Sequence, residues 1–148
     1  MKAVAFTRSL PIDDPESLVD ITLPDPGPPG GHDLLVRVRA VSVNPVDAKQ
    51  RIAGAASAAA PRVLGWDAAG IVAATGPEVT LFKPGDEVYY AGDVTRPGCN
   101  SELQLVDERI VGAKPRSMDF AQAAAIPLTA ITAWEAFFDR MFAKTMRK

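Results

Sequence analysis

Short β-prone runs that end in glycine or proline fill residues 63–90 of this chain. Gly76-Pro77 and the four residues 83–86 (Lys-Pro-Gly-Asp) mark two tight turns within it. Because proline removes a backbone donor and glycine loosens the backbone, this stretch cannot form one long helix. It predicts short antiparallel strands joined by turns. One acidic residue, Asp67, lies inside an otherwise apolar run, where an unpaired buried carboxylate would be costly.

Strands and loops are also predicted for most of the chain before residue 115. The predicted strands cover residues 2–6, 18–23, 33–43, 86–91 and 102–106. Residues 24–33 are rich in proline and glycine and form a predicted loop, in which His32 is interpreted as a solvated histidine. The 13 prolines and 11 glycines are spread along all 148 residues, which suits a single β-rich domain with many turns.

Two short helices are predicted from their capping residues. Asn44 precedes Pro45 and is the predicted N-cap of a helix that ends near Gly54. Ser117 is the predicted N-cap of a helix over residues 118–126. A good cap explains Asn44 by itself, so contact with a ligand is an additional possibility that the residues alone leave open.

A longer helical pattern begins at Pro127 and continues to the last residue. Large apolar side chains recur along one face of it. They are Ile131, Trp134, Phe138 and Met141, with Phe137 and Phe142 beside them. Basic residues at the C-terminal end complement the helix dipole. They are Lys144, Arg147 and Lys148.

Charge and cysteine content exclude several classes of protein. The net charge of −2 gives no basic surface for nucleic acid, and no apolar run has the length of a membrane span. A single cysteine, Cys99, cannot form an internal disulfide, so we expect a cytoplasmic protein. No basic residue or helix start lies beside Cys99, which is interpreted as an inert thiol. One cysteine and one histidine cannot supply a four-thiolate zinc site, and they predict no metal.

Three segments resemble the medium-chain dehydrogenase/reductase superfamily in their order and spacing. They are residues 41–54 (VSVNPVDAKQRIAG), 61–89 (PRVLGWDAAGIVAATGPEVTLFKPGDEVY) and 123–136 (AAAIPLTAITAWEA). The second pairs Gly-x-Asp-x-x-Gly with a later Pro-Gly-Asp-x-Val. The chain is most similar to the zinc-independent, quinone-oxidoreductase-like branch, whose members are often labelled "zinc-type alcohol dehydrogenase-like".

This resemblance implies a mainly β fold with flanking helices, a GroES-like and partly open β-barrel. Residues 1–126 would form this catalytic domain, and residues 127–148 a helix that in the family leads into a Rossmann domain. The sequence contains no glycine-rich phosphate loop of such a domain, so the cofactor site is expected to be incomplete. We therefore expect a truncated chain, or a short relative, that is inactive alone. The uncovered apolar face of the last helix is expected to cause self-association.

The function that the resemblance implies is hydride transfer from NADPH to a quinone or an α,β-unsaturated carbonyl compound. Zinc-dependent members carry a cysteine in place of Asn44 and a His-Glu pair in place of Trp66 and Asp67, so no zinc is expected. One alternative is a stand-alone, non-enzymatic GroES-like module for binding or oligomerisation. A minor alternative is a zinc-dependent alcohol dehydrogenase.

The resemblance also assigns site residues, none of them catalytic. The expected contacts to the nicotinamide-ribose end of the cofactor are Asn44, Val46, Lys49 and Thr132. The expected substrate-pocket residues are Asn44, Trp66 and Tyr90. Each of these residues has a structural alternative. Thr132, for example, can bond back to a helix carbonyl, and Trp66 can be a core residue. Asp67 is expected to be a structural acid, held by a basic side chain or by backbone donors near the cleft floor.

Overall fold

The computed structural model describes residues 1–141. Its strands are β1 (Lys2–Phe6), β2 (Val19–Thr22), β3 (Asp33–Ser42), β4 (Arg62–Val63), β5 (Asp67–Thr75), β6 (Glu87–Ala91), β7 (Leu103–Asp107) and β8 (Val111–Ala113). Its α-helices are α1 (Pro45–Ala53), α2 (Phe120–Ala124) and α3 (Pro127–Trp134). A 3₁₀ turn covers Glu108–Ile110, and a π-helical segment over Glu135–Arg140 continues α3.

The strands form two antiparallel sheets. The small sheet has the order β2-β1-β4, and the large sheet has the order β7-β3-β5-β6-β8. The segment before β7 joins them, because the Val4 N–H donates to the Asn100 carbonyl (2.8 Å) and the Glu102 N–H to the Lys2 carbonyl (3.1 Å). Within the described residues the large sheet stays open at β7 and β8. The predicted fold, mainly β and partly open, is confirmed.

The main core lies against the inner face of the large sheet. Alternation along β3 buries Leu34 and Val36 and leaves Arg37 and Arg39 exposed, as the sequence predicts. The buried members of this core are Leu34, Val36, Ala68, Val72, Val88, Tyr90, Cys99 and Val106. A smaller apolar cluster packs α1 and α3 onto the start of β5. It consists of Phe6, Leu64 and Trp66, with Val46, Ala56 and Leu128 against them.

The predicted N-cap of the second helix is wrong. Helix α2 begins at Phe120, and its N-cap is Asp119 in place of Ser117. The Asp119 carboxylate accepts from the Gln122 N–H (2.7 Å), and the Gln122 side chain accepts from the Asp119 N–H (3.1 Å). Two reciprocal bonds satisfy more helix donors than one serine hydroxyl can, so the helix starts two residues later.

The regular helix predicted after Pro127 is also only partly correct. The α-helical hydrogen bonding stops at Trp134, and the π-helical segment follows. The large side chains here pack little on the sheets, so few tertiary contacts favour the tighter helix. Their exposed fractions are 48% for Ile131, 58% for Trp134, 53% for Phe137 and 68% for Met141. Phe142, predicted beside the apolar face, lies outside the described residues. So do the basic residues predicted to complement the helix dipole, which are Lys144, Arg147 and Lys148.

His32 is not the solvated loop histidine that its surroundings predict. Its Nδ1 lies 2.9 Å from a Glu108 carboxylate oxygen, and its Nε2 lies 3.3 Å from Glu78. Glu108 is buried and accepts the backbone N–H groups of Thr80 (3.0 Å) and Leu81 (2.7 Å). Burial opposes ionisation of Glu108, but the bonds from Leu81, His32 and Thr80 outweigh it and lower its pKa. One carboxylate thus anchors the loop between β5 and β6.

We expect Glu108→Gln to lower the Tm most near neutral pH. Folding lowers the pKa of Glu108, so the ionised carboxylate stabilises the folded state above the ordinary glutamate pKa of 4.5. This stabilisation of the fold is lost as the pH falls through the lower pKa of the folded state. The difference in Tm between the wild type and the variant, followed by circular dichroism, should therefore shrink in acid. Asp13→Asn, at an exposed position, is the control. A difference in Tm that stays constant with pH would show that Glu108 does not act through its charge.

Candidate functional site

The candidate site is built around Asp67, a fully buried residue at the start of β5. The turn before it needs a glycine, because Gly65 has φ +101° and an added Cβ would lie 2.5 Å from the Asn100 side chain. In the sheet, Asp67 pairs with Ser42 of β3 on one side and with Ala91 of β6 on the other. Its side chain is therefore fixed by a central strand.

Both carboxylate oxygens of Asp67 accept hydrogen bonds. Oδ2 accepts from the side-chain amide of Asn44 (2.8 Å), and Oδ1 accepts from the backbone N–H of Leu128 (2.8 Å). This is the pattern of an ionised carboxylate, which can only accept. It links the N-cap of α1 to the first turn of α3. Of the two kinds of partner expected for Asp67, a backbone donor is present, and no basic side chain bonds to it within residues 1–141. Its role as a structural acid stays a prediction.

Opposing effects set the pKa of Asp67. Burial raises this pKa, the hydrogen bonds from Asn44 and Leu128 lower it, and the nearby charge of Asp47 raises it again. The net result is a pKa above that of an ordinary aspartate. The N-terminus of α3 favours the charged form, since helix N-termini attract negative charge.

Two buried polar residues, Asn44 and Asp47, lie at the start of α1. Asn44 is the N-cap, as the sequence predicts, and is only 7% exposed. Its backbone N–H donates to the Asp47 carboxylate (2.7 Å), while its side chain turns to Asp67. Val46 is half-buried against the cluster of Phe6, Leu64 and Trp66, and Lys49 is exposed. Of the residues expected to contact the cofactor on α1, Asn44 therefore bonds to Asp67, and Val46 packs against the apolar cluster that contains Trp66.

The other predicted site residues lie in different surroundings. Thr132 is exposed on α3, and its hydroxyl donates to the Leu128 carbonyl (2.8 Å). Trp66 is buried, and its Nε1–H donates to the Asp93 carbonyl (3.0 Å). Tyr90 belongs to the main core, where its hydroxyl donates to the Gln104 side chain (2.9 Å). The polar atoms of Trp66 and Tyr90 are thus already bonded within the domain, and their role as pocket walls stays a prediction.

Two participants in the network are not among the site residues that the sequence predicts. Asp47 lies three residues after Asn44, a capping-box spacing that could have indicated it. The Leu128 N–H follows Pro127 at the helix start, where backbone donors lack helical partners. That signal predicts an acceptor near Leu128 but does not identify Asp67.

The chemistry of Cys99 is restricted by its position. Burial raises the pKa of its thiol to about 12, with the charge of Asp47 adding to the effect, and the thiol donates to the Asp67 carbonyl (3.4 Å). A thiol held protonated is a poor nucleophile and a poor metal ligand. Among residues 1–141, no three or more His, Cys, Asp and Glu side chains are grouped to hold a metal ion. None of the helices in this part of the chain is long and apolar enough to cross a membrane.

Comparison with known sequences gives a consistent set of relatives. Residues 30–129 match the family described as the alcohol dehydrogenase GroES-like domain. A zinc-type alcohol dehydrogenase-like protein of Staphylococcus epidermidis is 42% identical over 94% of this chain and 40% of its own length. A 2-methylene-furan-3-one reductase of Solanum lycopersicum is 34% identical over 91% of this chain and 36% of its own length.

Solved structures show the same likeness. A Rhizobium etli protein assigned to the zinc-dependent alcohol dehydrogenases is 62% identical, with a TM-score of 0.89 over 94% of this chain and 40% of that protein. The Escherichia coli quinone oxidoreductase, solved in complex with NADPH, is 27% identical, with a TM-score of 0.78 over 93% of this chain and 40% of that protein. The chain therefore spans about two fifths of the length of these proteins.

We expect Asp67→Ala to destabilise the domain by about 3 kcal/mol, because it leaves the Asn44 amide and the Leu128 N–H without their acceptor. Urea denaturation followed by tryptophan fluorescence measures the change. Asp13→Ala, at an exposed position, is the control and should change stability by less than about 0.5 kcal/mol. If Asp67→Ala unfolds at the same urea concentration as the wild type, Asp67 is not a structural acid.

Proposed function

The chain belongs to the alcohol dehydrogenase GroES-like domain family, within the medium-chain dehydrogenase/reductase superfamily, and we propose that it is the catalytic-domain part of a zinc-independent NAD(P)H oxidoreductase. The proposed reaction reduces a quinone or an α,β-unsaturated carbonyl compound. The Escherichia coli quinone oxidoreductase supports the first substrate class and NADPH as the cofactor. The Solanum lycopersicum reductase supports the second.

The observation that carries the proposal is the placement of Asn44. Its amide is held by a buried carboxylate, at the start of a helix, beside an apolar cluster that includes Val46 and Leu128. A fixed amide beside apolar side chains suits the polar ribose and the flat ring of a nicotinamide nucleotide. When bound, the cofactor supplies the hydride. The proposed contacts of this chain to the nicotinamide end are Asn44, Val46, Lys49 and Thr132, which would bind and orient that end.

Asn44 and Trp66 stand where zinc-dependent members of the superfamily carry zinc ligands, and they do not fit zinc. The Asn44 amide N–H already donates to Asp67, and Trp66 offers no metal ligand. Cys99 is buried with a raised thiol pKa, so it resists the deprotonation that zinc binding requires. These features support a metal-free reductase. Stoichiometric zinc in the purified protein, measured by elemental analysis, would favour a zinc-dependent alcohol dehydrogenase instead.

We expect the 148-residue chain to bind NADPH with a Kd of about 1 mM or weaker and to oxidise none in the presence of a simple quinone. The physical reason is that its sequence lacks the glycine-rich loop that binds the dinucleotide pyrophosphate. Titration followed by NADPH fluorescence, and then by absorbance after quinone is added, measures both properties. Micromolar binding would contradict the expectation of an incomplete site.

Activity can be tested by replacing the matching part of the Rhizobium etli protein with this chain. We expect this chimera to oxidise NADPH with a quinone or an enone, and Asn44→Ala to lower kcat/KM by about tenfold, the effect of one lost hydrogen bond. Asp13→Ala, at an exposed position, serves as the control. A folded chimera that transfers hydride to neither substrate class would contradict the proposed function.

The exposed helix supports a second candidate function, a GroES-like oligomerisation module. Four large apolar residues of α3, the π-helical segment and its C-cap are about half exposed or more. They are Ile131, Trp134, Phe137 and Met141. In an antiparallel pairing of this helix with a second copy, the register that brings Trp134 against the partner's Met141 also brings Glu135 against the partner's Arg140. Apolar contact and opposite charge thus both favour a second copy as the occupant of this surface.

We expect a dimer at tens of micromolar by light scattering. Glu135→Arg and Arg140→Glu should each weaken the dimer, because each variant places like charges opposite one another. The double variant should restore it, because the opposite charges are exchanged between partners. Asp13→Arg is the control. A monomeric wild type, or a double variant no better than the single variants, would contradict this pairing.

A further inference from the structure

The carboxylate of Asp67 is shared between the two helices that carry the proposed cofactor contacts. Oδ2 holds the Asn44 side chain at the start of α1, and Oδ1 holds the Leu128 N–H in the first turn of α3. Thr132 lies one turn further along α3 and is bonded to the carbonyl of the same Leu128. One side chain on the central strand β5 therefore fixes both helices at once.

We infer that Asp67 is a positioning residue, which holds Asn44 and Thr132 in register with each other and determines which way the Asn44 amide points. The inference rests on the proposed function, in which Asn44 and Thr132 contact the nicotinamide half of the cofactor. An ionised carboxylate only accepts hydrogen bonds, so the NH₂ end of the Asn44 amide has to face it. A reversed amide would place Oδ1 of Asn44 against a carboxylate oxygen. The charge on Asp67 thus sets the polarity of Asn44.

Asparagine at position 67 would keep the shape of this side chain but not its two acceptors. Its single oxygen can serve either Leu128 or Asn44. If the oxygen stays with the Leu128 N–H, its NH₂ group meets the NH₂ group of Asn44, and Asn44 has to rotate. Asp67→Asn is therefore expected to fold and to turn the Asn44 amide around.

Exchanging the two residues should restore both bonds. In the double variant Asn44→Asp/Asp67→Asn, the side-chain NH₂ at position 67 donates to the carboxylate at position 44. The side-chain oxygen at position 67 still accepts from the Leu128 N–H, so only the direction of the bond between positions 44 and 67 is reversed. In Asn44→Asp alone, two carboxylates face each other where Nδ2 and Oδ2 are now 2.8 Å apart. Such a pair shares a proton, so its folded pKa is raised and its stability falls as the pH rises. The other titratable groups that face Asp67 are Asp47 from α1 and Cys99 from the loop before β7.

The experiment compares the wild type with these three variants by nitrogen-15 NMR and by thermal unfolding across pH. In Asp67→Asn, the side-chain NH₂ protons of Asn44 should exchange with solvent about tenfold faster, as expected for a lost hydrogen bond to a charged group. Asn44→Asp should gain Tm as the pH falls, and the double variant should show no such gain. A role limited to filling space would leave the exchange at Asn44 unchanged. Unchanged exchange at Asn44, or an Asn44→Asp variant whose Tm does not rise in acid, would overturn the inference.

A ligand arm separates this inference from the proposed function. Reduced nicotinamide mononucleotide, which lacks the adenosine half, is added at millimolar concentration to the wild type and to Asp67→Asn. Wild-type signals of the Asn44 side chain and the Thr132 amide should shift together, and Asp67→Asn should lose the coordinated shift. The exchange and pH results can be as expected while the wild type shows no shift with the mononucleotide. That outcome overturns the cofactor contact, and with it the positioning role toward the cofactor. It retains the coupling between Asp67 and Asn44.

Discussion

A buried carboxylate with two N–H donors connects the sheet of this domain to its helices. A charge inside an apolar cluster is unfavourable unless hydrogen bonds replace its water shell, and Asp67 has one donor from each of two helices. Because β5 lies between β3 and β6, the strand that carries this charge is held on both sides. Apolar packing of Leu128 and Val46 near Trp66 closes the same junction. The polar and apolar contacts therefore fix the same arrangement.

The features that the sequence predicted well depend on neighbouring residues. Alternation in β3, the turn at residues 83–86 and the Asn44-Pro45 helix start each follow from a few consecutive positions. The turn is closed by Lys83, whose backbone N–H donates to the Asp86 side chain (3.0 Å). The second helix shows where local reasoning fails, because Ser117 and Asp119 both suit an N-cap. Only the reciprocal bond with Gln122 decides between them.

The features that the sequence did not predict depend on residues far apart in the chain. Asn44 and Leu128 lie 23 and 61 positions from Asp67, and no spacing rule connects them. Glu108 binds backbone groups, which leave no trace in residue identity. Resemblance to a family supplied the site residues, but it assigns roles by position. The structure adds that Trp66 and Tyr90 bond their polar atoms within the domain, and that Asn44 bonds to Asp67 at a junction of two helices.

The way in which Glu108 holds its loop has a consequence for how this region can diverge among related sequences. The Glu108 carboxylate accepts hydrogen bonds from the backbone N–H groups of Thr80 and Leu81. The Leu81 side chain is 62% exposed. Every amino acid except proline offers the same amide, so the anchor does not depend on which side chains the loop carries. The amide contacts of Glu108 therefore place no requirement on the exposed side chain of Leu81. An exposed position such as Leu81 is for that reason a suitable place for a fluorescent label, whereas Val79 and Phe82 pack against the main core and have to be kept.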